Sequence, residues 1–186
     1  MNEREFRLRI QRLVAIGALT LASVWPAASQ AQSPNARAIL PGYDAPILLD
    51  TLGIALPISG SRDSIFSALT AVLAELKIPI EERDPRTGML RNLNAQLSRR
   101  LDKVPLSRYI DCGRGFSGNN ADIYRVTLAL SAWIVPATGE PQKLQVAIAA
   151  SGRDPGGTNT GYSACSTRGS LEALIVERVR ARLGLS

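Results

Sequence analysis

The chain has 186 residues, 45% apolar, 20% charged and 5% aromatic, with a net charge of +6, two cysteines and no histidine. That length amounts to one domain, and the balance of apolar and charged residues excludes both a disordered tail and a multi-span membrane protein. Without histidine there is no Ser-His-Asp or Cys-His machine and no usual His-bearing zinc site, and two thiolates are too few for an all-cysteine one.

Residues 1–31 read as a secretory signal peptide. Arg4, Arg7, Arg9 and Arg12 outweigh Glu3 and Glu5, and Leu13 to Trp25 is a 13-residue run without a charge. Pro26 breaks the run, and Ser29-Gln30-Ala31 puts small side chains where a signal peptidase reads, so cleavage is expected after Ala31. Thirteen residues fall short of the roughly 20 that span a bilayer as a helix. No cysteine near the cleavage site is available for a lipid anchor. The mature chain is therefore expected to be soluble, not membrane-spanning, and periplasmic or secreted. Removing four arginines and two glutamates leaves 18 basic against 14 acidic residues, a charge of +4. So mild an excess outside the cytoplasm points away from nucleic acid; it reads first as serving solubility, with an envelope protein or an anionic envelope surface as the partner such a charge could meet.

Residues 32–46 hold three prolines without periodicity and are expected to form a flexible lead, with a single domain over 47–186. Leu52, Ile54, Leu56 and Ile58 alternate as in a strand, and Pro57 suits a sheet edge. Ser61 or Asp63 can cap a helix whose apolar stripe is Ile65, Phe66, Leu69, Val72, Leu73 and Leu76; Lys77 suits its C-terminal end, and Pro79 stops it. Ile78 and Ile80, the turn Asp84 to Gly88, and Met89, Leu93, Ala95 and Leu97 on one face predict a hairpin. Residues 99–120 are expected to form a long loop with one short helical turn.

Two long strands follow, one with Tyr124, Val126, Leu128, Leu130, Ala132 and Ile134 on a face, the other with Leu144, Val146, Ile148 and Ala150. Pro136 to Pro141 joins them, and a second glycine-rich loop runs from Gly152 to Ser163. A helix at about 169–183 carries the stripe Leu171, Leu174, Ile175, Val179 and Leu183, and Gly184 can end it. The order β-α-β-β-β-β-α predicts an α+β, two-layer fold: an antiparallel sheet of about five strands with two helices on one face. Leu69, Leu73, Val126, Leu128, Val146, Ile148, Leu174 and Ile175 are the expected core.

Cys112 and Cys165 are expected to form one structural disulfide across 53 positions, tying the loops 113–120 and 152–163 together. A redox pair would favour a CxxC spacing, which is absent. Gly113 to Gly118 matches G-x-G-x-x-G, but it leads into a strand where a dinucleotide site needs a helix. Neither G-x-S-x-G nor S-x-x-K occurs. Glu81, Glu82 and Asp84 beside Arg83 and Arg86 read as a solvated turn, and Asp111 with Asp122 offers too few oxygens for calcium. No catalytic, cofactor or metal residues are therefore assigned, and a non-catalytic protein is expected. The densest basic stretch is Arg99, Arg100, Lys103, Arg108 and Arg114. Arg99, Arg100 and Lys103, together with the aromatics Phe116, Trp133 and Tyr162, form the candidate binding surface. A ligand cavity between sheet and helices, as in a small-ligand carrier, is the alternative.

The phrases Tyr109-Ile110-Asp111-Cys112-Gly113 and Ala121-Asp122-Ile123-Tyr124-Arg125-Val126, after the capped helix at Ser61–Leu76 and with Cys165 before the last helix, resemble small exported envelope domains of bacteria. The Cys-Gly and Ala-Asp-x-Tyr phrase is similar to that of bacterial secreted proteins of uncharacterised role. More distantly, the element order is similar to the helix-grip domains of the accessory lipoprotein of outer-membrane β-barrel assembly. The resemblance implies an exported, envelope location; the lipidated cysteine of that lipoprotein has no counterpart here, and the non-catalytic expectation rests on the missing catalytic constellation.

Overall fold

Alternating apolar runs of ten or more residues pair best with each other, and in the computed structural model the two longest do so. The described residues are 36–136, 141–156 and 161–185, all within the unit Ala31–Ser186. The sheet strands in chain order are β1 (Ile54–Ile58), β2 (Glu82–Asp84), β3 (Met89–Ser98), β4 (Ile110–Asp111), β5 (Arg125–Val135), β6 (Gln142–Arg153) and β7 (Tyr162–Thr167); the helices are α1 (Arg62–Glu75) and α2 (Ser170–Arg182). β5 and β6 pair antiparallel without a break, from Arg125 opposite Arg153 to Val135 opposite Lys143. The full order is β2-β3-β5-β6-β7-β4, with β1 also on β6. The sheet thus has seven strands rather than about five. Of the additions, β4 lies in the expected loop 99–120, and β7 begins in the expected loop 152–163 and runs on through 164–167, where the sequence pattern predicts no element; the first hairpin strand is Glu82–Asp84 rather than 78–80. Strands of two or three residues are too short to show a period.

Among the described residues the fold remains α+β, with two α-helices. β6 offers one edge to two partners: its first half holds β1 and its second half β7. Pro57 sits on β1 with its carbonyl turned outward, where Arg180 of α2 donates to it from Nε at 3.2 Å and Nη2 at 2.6 Å. That contact blunts an open edge, as does the missing N–H of the proline.

α1 starts at Ser61, whose Oγ accepts the N–H of Ser64 at 3.1 Å. It ends in a reversal at Lys77 (φ 56°), where Ile78 N–H reaches Leu73 O at 2.9 Å and Lys77 N–H reaches Ala74 O at 3.0 Å. α2 ends the same way at Gly184 (φ 70°), with Leu185 N–H on Arg180 O at 2.9 Å. Ile65, Leu69, Val72 and Leu73 of α1, and Leu171, Ile175, Val176 and Val179 of α2, form one buried cluster with Val126, Leu128, Leu130, Val146, Ile148 and Ala150. Each such side chain, fully buried, stabilises by roughly 1.5–3 kcal/mol. Of the expected core residues only Leu174 is partly buried.

The opposite face of the sheet is covered as well. Residues 36–46 do not lead away from the domain; they lie on it. Ala36, Ala38, Leu40 and Leu49 are buried against Ala129, Trp133, Ala147 and Ala149. Arg37–Ala38 pairs with Ile47–Leu48 to make a small hairpin, and the Tyr43 hydroxyl is shared between the carbonyls of Cys165 (2.9 Å) and Ala150 (3.0 Å). The cause is the alanine-rich second face of β5 and β6: a flat apolar floor on which an extended, proline-bearing strap packs closely. Gly53 (φ 85°), where this strap joins β1, comes so near β6 that a Cβ there would lie 2.0 Å from Val146 O.

One face assignment also differs from expectation. Leu128 pairs with Ala95 but Leu130 pairs with Asn92, so β3 carries one extra residue there. Such a bulge flips the side-chain alternation. Leu90, Ala95 and Leu97 therefore face the helices, whereas Met89 and Leu93 face the strap.

Candidate binding surface

One end of the sheet gathers the basic residues. β3 leaves at Ser98, β5 enters at Arg125, β6 leaves at Arg153 and β7 enters at Tyr162, and the register puts these four in a row across the strands. Two arginines directly opposite each other repel. Arg153 is partly compensated by Tyr162, whose ring centre lies 5.7 Å from its guanidinium. Arg125 has no side-chain hydrogen bond or ion pair among the described residues.

The chain after Ser98 extends the same end. Arg100–Leu101 pairs with Val104–Pro105 around a turn with Asp102 (φ 46°) and Lys103 (φ 68°), a left-handed reversal of the kind that tight hairpins need. Leu101 and Leu106 are buried, which roots the ribbon, and Arg178 of α2 pairs with Asp102. That guanidinium holds the Asp102 carboxyl below the usual carboxylate range. Arg99, Arg100 and Lys103 stay exposed. Arg99 and Arg100 line a surface recess of about 410 Å³ with Pro105, Asp122 and Ile123. The Asp122 carboxylate is turned to other work: it accepts Ser107 N–H at 2.8 Å and Ser107 Oγ–H at 2.7 Å.

A second ribbon, Arg114–Gly115 with Gly118–Asn119, springs from the same place. Its base is tied by Asn120 N–H to Gly113 O at 3.0 Å and by Asn120 Nδ2 to Cys112 O at 3.2 Å. Phe116 at its tip is wholly exposed. Beneath the base lies the Cys112–Cys165 disulfide, with both cysteines buried. A Cβ on Gly152 would stand 3.2 Å from each sulfur and 2.9 Å from the Tyr124 ring. So enclosed a bridge is a structural tie.

The sequence thus brings together Arg99, Arg100, Lys103 and Phe116, with Tyr162, 42% exposed, at the end of the cross-strand row. Trp133 does not belong to this surface: it is 4% exposed and packs under the strap, because the face that reads as polar along β5 is apolar at Ala129 and Trp133. Arg125 and Arg153 were missed by sequence reasoning. Their signal was available, because aligning Ile134 with Leu144 across the hairpin places Arg125 opposite Arg153.

The other sequence motifs carry no site. The Gly113–Gly118 match is the ribbon itself and is followed by a 3-10 turn and β5, with no helix N-terminus behind it. Glu82 pairs with Arg91 at 3.0 Å, and Asp84 accepts Arg86 N–H at 3.0 Å, so that turn is a charge-matched surface. Among the described residues no group of three or more Cys, Asp or Glu could hold a metal ion, and no helix is long and apolar enough to cross a membrane. The expected signal peptide at 1–31, and residues 32–35, 137–140, 157–160 and 186, lie outside the described residues. Compared with known proteins, the sequence matches no family model and no curated protein.

Proposed function

We propose that this chain is an exported, non-catalytic envelope protein that works as a binding module through the basic end of its sheet. The observation that carries this is the convergence of Arg99, Arg100, Lys103, Arg125 and Arg153 around two tethered ribbons, one of them bearing an exposed Phe116. Two carboxylates at that end are paired, Asp102 with Arg178 and Asp111 with Arg168; Asp122, hydrogen-bonded to Ser107, and Asp154, beside Arg153, remain but are outnumbered by these five cations. The surplus positive charge therefore faces outward, toward an anionic envelope surface or an acidic face of an envelope protein.

The carrier alternative needs a cavity between sheet and helices. A void able to take a ligand would leave accessible surface on the residues lining it, yet Leu69, Leu73, Leu128, Val146 and Ile175 have none. The filled interface favours the binding module. Export enters the proposal through the leader at 1–31, and a buried disulfide is compatible with an oxidising compartment. Co-sedimentation with bacterial envelope preparations tests the binding reading. The double variant Arg125→Gln, Arg153→Gln should lose most binding, and Lys143→Gln at the opposite end should lose none. Equal retention in all three proteins would refute it.

A further inference from the structure

Building on the binding-module reading, we infer that the basic end docks on an anionic lipid surface, the Arg99–Arg100 recess taking headgroup phosphates and Phe116 entering the boundary with the acyl chains. A protein partner of ordinary affinity needs about 800 Å² per side with a contiguous apolar centre. The exposed apolar groups at this end are Phe116, Ile123 and Tyr162, each set among arginines, and they form no such centre. A bilayer interface asks for less: one apolar side chain that projects, and cations around it to meet the headgroups.

Phe116 projects in this way. It stands between Gly115 and Gly118, at the tip of a ribbon with nothing within 4 Å of a Cβ built on Gly118. The base of that ribbon is held by the Asn120 hydrogen bonds and the disulfide, so insertion orders little that was loose. The recess opens beside the 3-10 turn Asn120–Asp122 that follows the ribbon; Arg99, Arg100, Asp122 and the partly exposed Ile123 line it, and one nitrogen of Arg100 already donates to Lys103 O at 3.0 Å, which leaves its other donors for a phosphate. Guanidinium is the side chain best matched to phosphate oxygens.

The test uses the chain from Gln32 onward, the exported form after cleavage at Ala31, in which Trp133, buried beneath the strap, is the internal reference, and adds Phe116→Trp as a reporter. Vesicles of phosphatidylcholine alone, and of phosphatidylcholine with phosphatidylglycerol, carry bromine on their acyl chains. The added tryptophan should be quenched on the anionic vesicles, not on the neutral ones, and high salt should release it. In sedimentation, Arg99→Gln or Arg100→Gln should each weaken binding about fivefold. Phe116→Ser should weaken it on the order of tenfold, with the melting temperature unchanged in all three. Quenching that is equal on both vesicles, or indifferent to the arginine substitutions, overturns the inference. If vesicles do not bind while envelope co-sedimentation still needs Arg125 and Arg153, the lipid is overturned and the binding module stands with another partner. If both assays fail, both are overturned.

Discussion

Gly53 and Gly184 offer a controlled test of whether the strap is pressed onto the sheet. Both have positive φ, 85° and 70°, so alanine at either position meets the same backbone penalty of about 1–2 kcal/mol. Their surroundings differ. A Cβ on Gly184 has nothing within 4 Å, whereas one on Gly53 would lie 2.0 Å from Val146 O and 2.6 Å from Ala147 Cα. Those atoms belong to the backbone of β6, a central strand paired with β5, and cannot rotate away. Relief requires residues 49–53 to lift off, which would uncover Leu49 and loosen the cluster around Trp133. Overpacking of this kind adds about 1–3 kcal/mol. Gly53→Ala should therefore destabilise by about 2–5 kcal/mol and Gly184→Ala by about 1–2 kcal/mol. Urea unfolding of the oxidised protein, followed by Trp133 fluorescence, measures both. Equal losses at the two positions would refute the close approach, and with it the placement of the strap.

Other outcomes follow from the same packing. Trp133→Ala should cost about 3–5 kcal/mol, as for a large buried aromatic, and wild-type emission should be that of a buried indole, read by comparing quenching before and after unfolding. Leu128→Asn, at the centre of the helix-facing cluster, should cost several kcal/mol, about 3 or more, by thermal unfolding, because it combines a cavity with an unpaired amide. The bridge between Cys112 and Cys165 should resist reductant in the folded protein, scored by thiol alkylation, and its loss should cost about 4 kcal/mol for a separation of 53 residues. Glu172 is 1% exposed in the first turn of α2, and burial pushes its carboxyl up from the ordinary value. A raised folded pKa means the folded state holds the proton more tightly, so stability should fall as pH rises from the ordinary glutamate range through the raised folded value. Glu172→Gln should flatten that fall in melting temperature, and an unchanged profile would refute the burial argument.

The basic stretch could be read as a candidate surface from residue types alone, but its membership could not. Arg99, Arg100 and Lys103 are neighbours in the chain, and Phe116 lies on a glycine-flanked turn, so local signals suffice for them. Arg125 and Arg153 sit 28 residues apart, and only the strand register makes them neighbours. Trp133 went the other way. Alternation assigned it to the polar side of β5, and no local property reveals that a distant segment covers that side.

Local sequence was decisive wherever the determinant is short-range. The capped start of α1, the glycine end of α2, the two alternating strands and their hairpin all follow from spacing within a dozen residues, and the structure has them within a residue or two at most ends. The pairing of the only two cysteines needed nothing more than their number. Tertiary structure alone decided the rest. Whether residues 36–46 wander or pack depends on Ala129 of β5 and Ala147 and Ala149 of β6, which lie 83 to 113 positions away along the chain and become a floor only once those strands have paired. The short strands β2 and β7 exist because a long neighbour, β3 or β6, offers them unpaired backbone groups, and β4 forms in turn on β7; in isolation two to six residues could not sustain a ladder. The bulge in β3 reverses the faces of Met89 and Leu93 relative to Ala95, and a period-two pattern holds no mark of where one residue will be left over.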